Sequence, residues 1–108
     1  MKIGTVILSR YNSSRLPGKA LMKLNGKTVI EIIIERLRHV FDNCEILLAT
    51  SVEKTDDTIV DFAEKNNINC FRGSLSNVAE RFYFAAESKN WDYAIRINGD
   101  NVFVDIKL

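Results

Sequence analysis

Residues 9–27 read SRYNSSRLPGKALMKLNGK and follow directly on the apolar run MKIGTVIL. Cationic and hydroxyl side chains at the end of a buried strand, with backbone N–H groups between them, are typical of a polyphosphate site. A solvated surface loop has the same composition, so the residue types alone leave both interpretations open. The segment has no glycine before Gly18, which excludes a Walker A loop and a G-x-G-x-x-G loop. The groups that could contact phosphate are Ser9, Arg10, Ser13, Ser14, Arg15 and Lys19.

The elements that must position this loop follow from the apolar periodicity. Short apolar runs predict strands buried on both faces, and longer segments with a 3.6-residue period predict helices between them. The predicted strands are 3–8, 45–50, 68–73 and 92–100, and the predicted helices are 28–41, 55–67 and 76–90. In the first helix Thr28 and Glu31 form a capping-box pattern, and Val40 is expected to face the core. Ser76 is expected to cap the third helix.

Strand–helix alternation predicts an α/β fold with right-handed crossovers and a parallel sheet covered on both faces. Ligands of such sheets bind at the carboxyl ends of the strands. The segments expected at that edge are 9–19, 49–54, 72–77 and 98–105. Residues 9–19, called the polar loop below, therefore lie where a ligand is expected.

Composition limits the class of protein. The chain has 108 residues, a net charge of +1, 46% hydrophobic and 27% charged residues, which suits one globular domain. The near-neutral charge argues against a general nucleic-acid or membrane-surface binder, so anion binding must be local. Two cysteines in no motif spacing, and an N-terminus unlike a signal peptide, predict a cytoplasmic protein. No window of 18 apolar residues predicts a membrane span.

The segment SRYNSSRLPGKAL resembles the phosphate-binding signature of sugar cytidylyltransferases, roughly R-x-x-S-S-R-[LF]-P-G-K. This family includes the enzymes that make CMP-Kdo and CMP-sialic acid and the spore-coat polysaccharide proteins of the SpsF type. The resemblance continues in order through LLATS at 47–51, FRGSLSNVAERFYFAA at 71–86 and RINGDNVFVD at 96–105, and is strongest to the SpsF type. It implies a Rossmann-like parallel-sheet nucleotidyltransferase fold (a GT-A-like nucleotide-diphospho-sugar transferase), incomplete at the C-terminus. Residues 1–108 would form the nucleotide-binding part of a cytidylyltransferase domain.

The resemblance also implies a reaction, in which a sugar oxygen attacks the α-phosphate of CTP and pyrophosphate leaves. Fixed cations would stabilise the charge that develops on the phosphates, and Arg10 and Lys19, with Asp100, are the implied catalytic residues. Asp100 matches the carboxylate that holds Mg²⁺, and Asp105 could be a helix cap or could help orient the metal. The residues matching the nucleotide site are Ser9, Arg10, Ser13, Ser14, Arg15, Lys19, Ala49, Thr50, Arg72, Gly73, Ser74 and Asn98.

The acceptor is left open between a sugar and a sugar acid, because Tyr11 resembles the Kdo branch whereas most of the pattern resembles the SpsF type. Relatives carry a second metal-binding carboxylate, sugar-binding residues and a dimerisation segment in a C-terminal half, so a homodimer or a missing half is expected. These 108 residues are therefore expected to show little activity alone. The alternatives are a truncated nucleotide-binding module without turnover, or a nucleotidyltransferase that uses another base.

A few other side chains have an ordinary structural interpretation. Asp56 and Asp57 are expected to complement the dipole of the second helix at its N-terminus, rather than to bind metal. Arg81 is expected to connect the third helix to neighbouring acidic residues. Cys44 and Cys70 are expected to be core residues.

Overall fold

Strands and helices alternate along the chain as the periodicity predicts. The computed structural model describes residues 2–12 and 18–99, and of Lys19 only the backbone. The strands are β1 (Ile3–Leu8), β2 (Lys23–Leu24), β3 (Lys27–Thr28), β4 (Ile46–Ser51), β5 (Cys70–Gly73) and β6 (Tyr93–Asn98). The helices are α1 (Val29–Leu37), α2 (Asp57–Lys65) and α3 (Val78–Ser88).

Four strands form a parallel sheet in the order β5-β4-β1-β6. Strand β1 lies inside this sheet, between β4 and β6, so both of its edges are paired, and its residues from Gly4 to Leu8 are buried on both faces. The apolar run of β1 follows from this position, because a strand buried on both faces has no polar side to present to water. The structure confirms the expected α/β fold with a parallel sheet.

Alternate residues of β1 point into two separate cores. Ile7 packs with Ile33 of α1 and Ile59 of α2 on one face of the sheet. Val6 and Leu8 pack on the opposite face, in a cluster that includes Ala85 of α3. Helices thus cover both faces, and α3 lies alone among the described helices on the second face.

The helix ends differ in detail from the predicted ones. Thr28 caps α1 as expected, since its hydroxyl accepts a hydrogen bond from the Glu31 N–H at 3.1 Å. However, α1 ends at Leu37, so Val40 lies beyond the helix and is 48% exposed instead of facing the core. The cap of α3 is Asn77, whose side chain accepts from the Glu80 N–H at 3.0 Å. The prediction of Ser76 as the cap was wrong by one residue.

The two-stranded hairpin of β2 and β3 was not predicted. Asn25 and Gly26 connect its strands with φ angles of 55° and 86°, which is the pattern of a type I′ turn. The Asn-Gly pair was therefore a signal in the sequence for this hairpin. The hairpin leads directly into α1 and so fixes where the polar loop ends.

Among the described residues, no helix is both long enough and apolar enough to cross a membrane.

Candidate functional site

The carboxyl ends of the parallel strands meet at one edge, as predicted from the strand–helix order. Leu8 at the end of β1 lies beside Ala49 of β4 and Asn98 of β6 in the register of the sheet. Just beyond, the Ser9 N–H donates to the Ala49 carbonyl at 3.1 Å, and the Gly99 N–H donates to the Leu8 carbonyl at 2.8 Å. We call this region the strand-end edge. It brings the start of the polar loop next to the ends of the neighbouring strands.

Asp56 is the centre of the hydrogen-bond network at the strand-end edge. It is fully buried at the end of a short 3₁₀ turn before α2. Its Oδ1 accepts from the Tyr11 N–H at 2.7 Å, and its Oδ2 accepts from Arg10 Nε at 3.2 Å and from the Ser51 hydroxyl. Burial by itself would raise the pKa of Asp56, but the bonds from Ser51, Tyr11 and Arg10, together with the Arg10 charge, lower it below its usual value. A charged Asp56 therefore fastens the beginning of the polar loop to the end of β4.

The two adjacent acids before and in α2 have different roles, which corrects the prediction that both complement the helix dipole. Asp57 is the first residue of α2, and its side chain is 54% exposed and pairs with Arg72 at 2.7 Å. Asp56 makes no capping bond to α2, because its carboxylate is directed to the polar loop. Helical periodicity offers a signal for this difference, because Asp56 precedes the buried Ile59 and Ala63 by three and seven residues.

Arg10 is held by two carboxylates. Its Nη2 lies 2.6 Å from Glu53 Oε2 and its Nε lies 3.2 Å from Asp56 Oδ2, and its side chain is 19% exposed. Arg10 thus lies at the strand-end edge as predicted, in a fixed orientation. Its contact with phosphate stays a prediction.

The polar loop is closed where it returns to the described part of the chain. The Gly18 N–H donates to the Tyr11 carbonyl at 2.7 Å. Gly18 has a φ of +79°, and a Cβ there would lie 3.0 Å from the Tyr11 hydroxyl oxygen, so a side chain would be strained. Lys19 begins the short 3₁₀ helix Lys19–Leu21 that follows. The predicted ligands Ser13, Ser14 and Arg15 lie outside the described residues.

Arg72 connects strands rather than standing free at the edge. Its Nε donates to the Ser51 carbonyl and its Nη2 to the Glu53 carbonyl, each at 2.8 Å, in addition to the pair with Asp57. These bonds orient the segment between β4 and α2, which carries Asp56. The described contacts of Arg72 therefore make it a support of the edge, and its contact with a nucleoside stays a prediction.

The other residues predicted to line a nucleoside pocket differ in accessibility. Ala49 and Thr50 are fully buried, backbone included, and the Ala49 carbonyl already accepts from the Ser9 N–H. Gly73 has little free space, because a Cβ there would lie 3.0 Å from the Phe71 ring and 3.1 Å from Arg81 Cγ. The Ser74 hydroxyl accepts from the Asn77 N–H at 3.0 Å, which shapes the turn into α3.

A cleft of about 220 Å³ opens at the strand-end edge between β1, β6 and α3. We call it the arginine cleft. It brings together three of the predicted residues, Ser9, Arg10 and Asn98. It adds two that sequence reasoning did not assign to the site, Arg81 and Arg96. The residues that line it are Leu8, Ser9, Arg10, Val78, Arg81, Arg96 and Asn98.

Arg81 forms no ion pair with an acid among the described residues, so the predicted connection is not found in this part of the chain. It is only 3% exposed, and its Nη1 donates to the Ser74 carbonyl at 3.2 Å. The sequence signal that could have found Arg81 is its position one helical turn after Asn77, near the predicted edge.

The two cysteines differ from each other. Cys44 is exposed, contrary to the prediction of a core residue, whereas Cys70 is partly buried against the hydrophobic core.

The end of β6 approaches Ser9 very closely. A Cβ built on Gly99 would lie 2.6 Å from Ser9 Cβ and 3.0 Å from the Leu8 carbonyl oxygen. Position 99 therefore requires glycine for the backbone to come this near. Asp100, the predicted metal ligand, follows in the sequence and lies outside the described residues, as does Asp105. Among the residues described, no group of three or more His, Cys, Asp or Glu side chains could hold a metal ion.

Comparison with known proteins identifies the family. A family model described as cytidylyltransferase matches residues 5–108. The spore coat polysaccharide biosynthesis protein SpsF of Bacillus subtilis is 36% identical over 107 residues, which cover 95% of this chain and 45% of that protein. The structure of a cytidylyltransferase from Leptospira borgpetersenii superposes with a TM-score of 0.89 at 33% identity, covering 97% of this chain and 44% of that one. A CMP:2-keto-3-deoxy-manno-octonic acid synthetase solved in complex with CTP superposes with a TM-score of 0.76 at 26% identity. The match covers 96% of this chain and 42% of that one.

These matches agree with the resemblance carried by the polar loop and the later motifs. The chain spans less than half the length of each of these three proteins, and the matched residues are consistently their N-terminal part. Because the family model covers nearly all of the sequence, the chain belongs to the cytidylyltransferase family.

Proposed function

We propose that this chain is the nucleotide-binding part of a cytoplasmic cytidylyltransferase that transfers CMP from CTP to a sugar or sugar acid in polysaccharide biosynthesis. The observation that carries the proposal is the strand-end edge, where Asp56 fastens the polar loop beside the end of β4. A loop rich in cations and hydroxyls, fixed at such an edge, suits a triphosphate. Membership of the family supports CTP as the nucleotide, and the SpsF relative supports a role in polysaccharide biosynthesis.

In this proposal the polar loop holds the triphosphate. Arg10 and Lys19 offer positive charge to the oxygens on which charge grows as pyrophosphate leaves. Ser13, Ser14 and Arg15 complete the phosphate contacts. Preorganisation matters here, since a cation already held in place needs no rearrangement when the charge develops.

We further propose that the nucleoside lies against the ends of β4, β5 and β6. Ala49 and Thr50, both fully buried, would lie beneath it at the end of β4. The remaining contacts would come from Ser9, Arg72, Gly73, Ser74 and Asn98.

The proposed metal ligand is Asp100, which immediately follows the tightly packed Gly99. A hard cation such as Mg²⁺ takes oxygen ligands, one or two carboxylates together with phosphate oxygens. When bound, Mg²⁺ would neutralise charge on the phosphates and help orient them. The residues that bind the acceptor are proposed to lie in a C-terminal half like that of the longer relatives, supplied in the same chain or by a partner such as a second copy.

Ligand-dependent thermal stability tests the nucleotide assignment. CTP with Mg²⁺ should raise the melting temperature of the 108-residue chain more than ATP, GTP or UTP at equal concentration. A ligand that binds only the folded state stabilises it by about 2.7 kcal/mol at a hundredfold excess over Kd. The matched control is CTP with the metal chelated. Equal shifts with all four nucleotides would refute selectivity for cytosine, and no shift with any of them would refute nucleotide binding.

Turnover is tested separately, by pyrophosphate release from CTP over a panel of sugars and sugar acids. We expect binding without appreciable release from this chain, because in-line alignment of an acceptor accounts for several kcal/mol of barrier lowering, roughly 7–11 in favourable cases. Robust, acceptor-dependent release from a monodisperse sample would show that these residues form a complete active site. It would refute the assignment of acceptor binding to a C-terminal half.

A further inference from the structure

Arg81 is a buried cation with an unused hydrogen-bond donor. Its side chain is 3% exposed, and its Nε makes no hydrogen bond with any described residue. The bond from Nη1 to the Ser74 carbonyl leaves most of the guanidinium donors available. Burial lowers the pKa of Arg81, and the like charges of Arg10 and Arg96 act in the same direction, against the opposing charge of Asp56. A buried N–H without a partner is costly, so its retention calls for a ligand.

The charge in the arginine cleft is not balanced by its described lining. Three arginines line the cleft, and no Asp or Glu is among the described residues that do. Arg10 has Glu53 and Asp56 as partners, whereas Arg81 and Arg96 form no ion pair among the described residues. The excess positive charge therefore belongs to Arg81 and Arg96, on the α3 side of the sheet.

The size and walls of the cleft fit a group larger than a single water. Its volume of about 220 Å³ compares with a share of about 30 Å³ for one water in the liquid. Asn98 and Ser9 add polar groups at one side, and Leu8 and Val78 form an apolar wall. A guanidinium group can donate two parallel hydrogen bonds to two oxygens of one carboxylate or phosphate group.

We propose that the arginine cleft is an oxyanion-binding site in which Arg81 and Arg96 hold a carboxylate or phosphate group of a substrate. The cleft adjoins the polar loop and shares Ser9, Arg10 and Asn98 with the proposed nucleotide site, whereas Arg81 and Arg96 are assigned to no ligand there. The inference does not depend on the identity of the nucleotide. Two sources can provide the oxyanion, a phosphate of the nucleotide or the carboxylate of a sugar acid. Arg81 supplies the buried, preorganised donor, and Arg96 supplies charge at the exposed side.

The experiment follows the side-chain Nε–H signals of the arginines by ¹H–¹⁵N NMR in the 108-residue chain. Inorganic pyrophosphate tests the phosphate source, D-glucuronate tests the carboxylate source, and D-glucose is the neutral control. We expect the Arg81 Nε–H signal, identified by its loss in Arg81→Lys, to shift with at least one anion and not with glucose. The anion that shifts it identifies the source.

Variants separate the cleft from general charge effects. Arg81→Met and Arg96→Met should each weaken binding of that anion about tenfold or more, as expected for loss of a hydrogen bond to a charged group. Arg38→Met is the matched control, because it removes the same charge at the end of α1, where Arg38 bonds Asn43. That variant should bind as the unaltered protein does.

Stability measurements distinguish a binding role of Arg81 from a structural one. Arg81→Met removes an unpaired buried charge, so its melting temperature should be unchanged or higher. The proposal is overturned if neither anion shifts the Arg81 signal, or if Arg96→Met, an exposed position whose loss does not threaten the fold, binds as tightly as the unaltered chain. Failure of CTP to bind would remove the proposed function and leave anion binding in the cleft intact, so the two ideas fail separately.

Discussion

Replacing Asp56 with asparagine keeps the size of the side chain but puts an NH₂ group where three donors now meet a carboxylate. The donors are the Tyr11 N–H, Arg10 Nε and the Ser51 hydroxyl. The amide has one acceptor oxygen, which can replace either Oδ1 or Oδ2 but not both, so at least one buried donor loses its acceptor. One such loss costs about 1–3 kcal/mol, and hydrogen bonds to charged groups are worth about 1.5–3 kcal/mol. We therefore expect Asp56→Asn to lower the free energy of unfolding by about 2–4 kcal/mol.

Thermal and urea unfolding measure this loss. For a domain of this size each kcal/mol corresponds to a shift of roughly 4–8 °C, so the melting temperature should fall by about 10 °C or more. The matched control is Asp57→Asn, next in sequence. The pair of Asp57 with Arg72 is partly exposed to solvent, and pairs of this kind are worth about 0–1 kcal/mol.

The pH dependence gives an independent check of the same reasoning. The pKa of Asp56 is lower in the folded protein than its ordinary value. Its charge therefore stabilises the fold above the unfolded-chain pKa of about 3.9, and this contribution is lost as the pH falls through the lower, folded value. The stability gap between the unaltered protein and Asp56→Asn should accordingly be widest near neutral pH and narrow in acid.

If Asp56→Asn and Asp57→Asn lowered the free energy of unfolding equally, the assignment of Asp56 as the anchor of the polar loop would be refuted. A gap that stayed constant down to acid pH would refute the role of its charge. If Asp56→Asn does not fold, Ser51→Ala provides a milder test, since it removes one of the three donors and should cost about 1 kcal/mol.

Three further substitutions and a labelling experiment test the site. Lys19→Ala should strongly weaken binding of CTP and leave the melting temperature of the unliganded chain nearly unchanged; a large loss of that temperature would instead indicate a structural partner. Asp100→Asn should abolish the Mg²⁺-dependent part of CTP binding in a titration calorimeter, and survival of the metal effect would assign the metal to another carboxylate. Gly99→Ala should lower the free energy of unfolding by about 1–3 kcal/mol in urea, because the added Cβ would lie 2.6 Å from a neighbouring carbon; an unchanged value would mean that the edge yields easily. Burial raises the pKa of Cys70 to about 11, so a thiolate-specific reagent at neutral pH should label the exposed Cys44 first, and equal rates would contradict this burial.

Much of the fold was predictable because it depends on local periodicity. The apolar run of β1 and the Thr28–Glu31 cap of α1 are short-range patterns, and both appear where the sequence placed them. Even the strand-end edge followed from the order of strands and helices, because parallel strands must end on the same side. The Asn-Gly hairpin was equally predictable from its turn residues and was missed.

The sequence by itself determined the α/β class, the position of the polar loop after β1 and the family to which the chain belongs. Only the tertiary structure decided which charged residues act together at the edge. Asp56 and Asp57 are adjacent and of the same type, but only Asp56 receives the N–H of Tyr11, which is 45 residues away in the sequence. Arg81 and Arg96 likewise lie on α3 and β6, and only the packing of these elements brings the two arginines into one cleft. Local sequence encodes the conformation of a segment, whereas burial and charge balance depend on neighbours that the folded chain supplies from a distance.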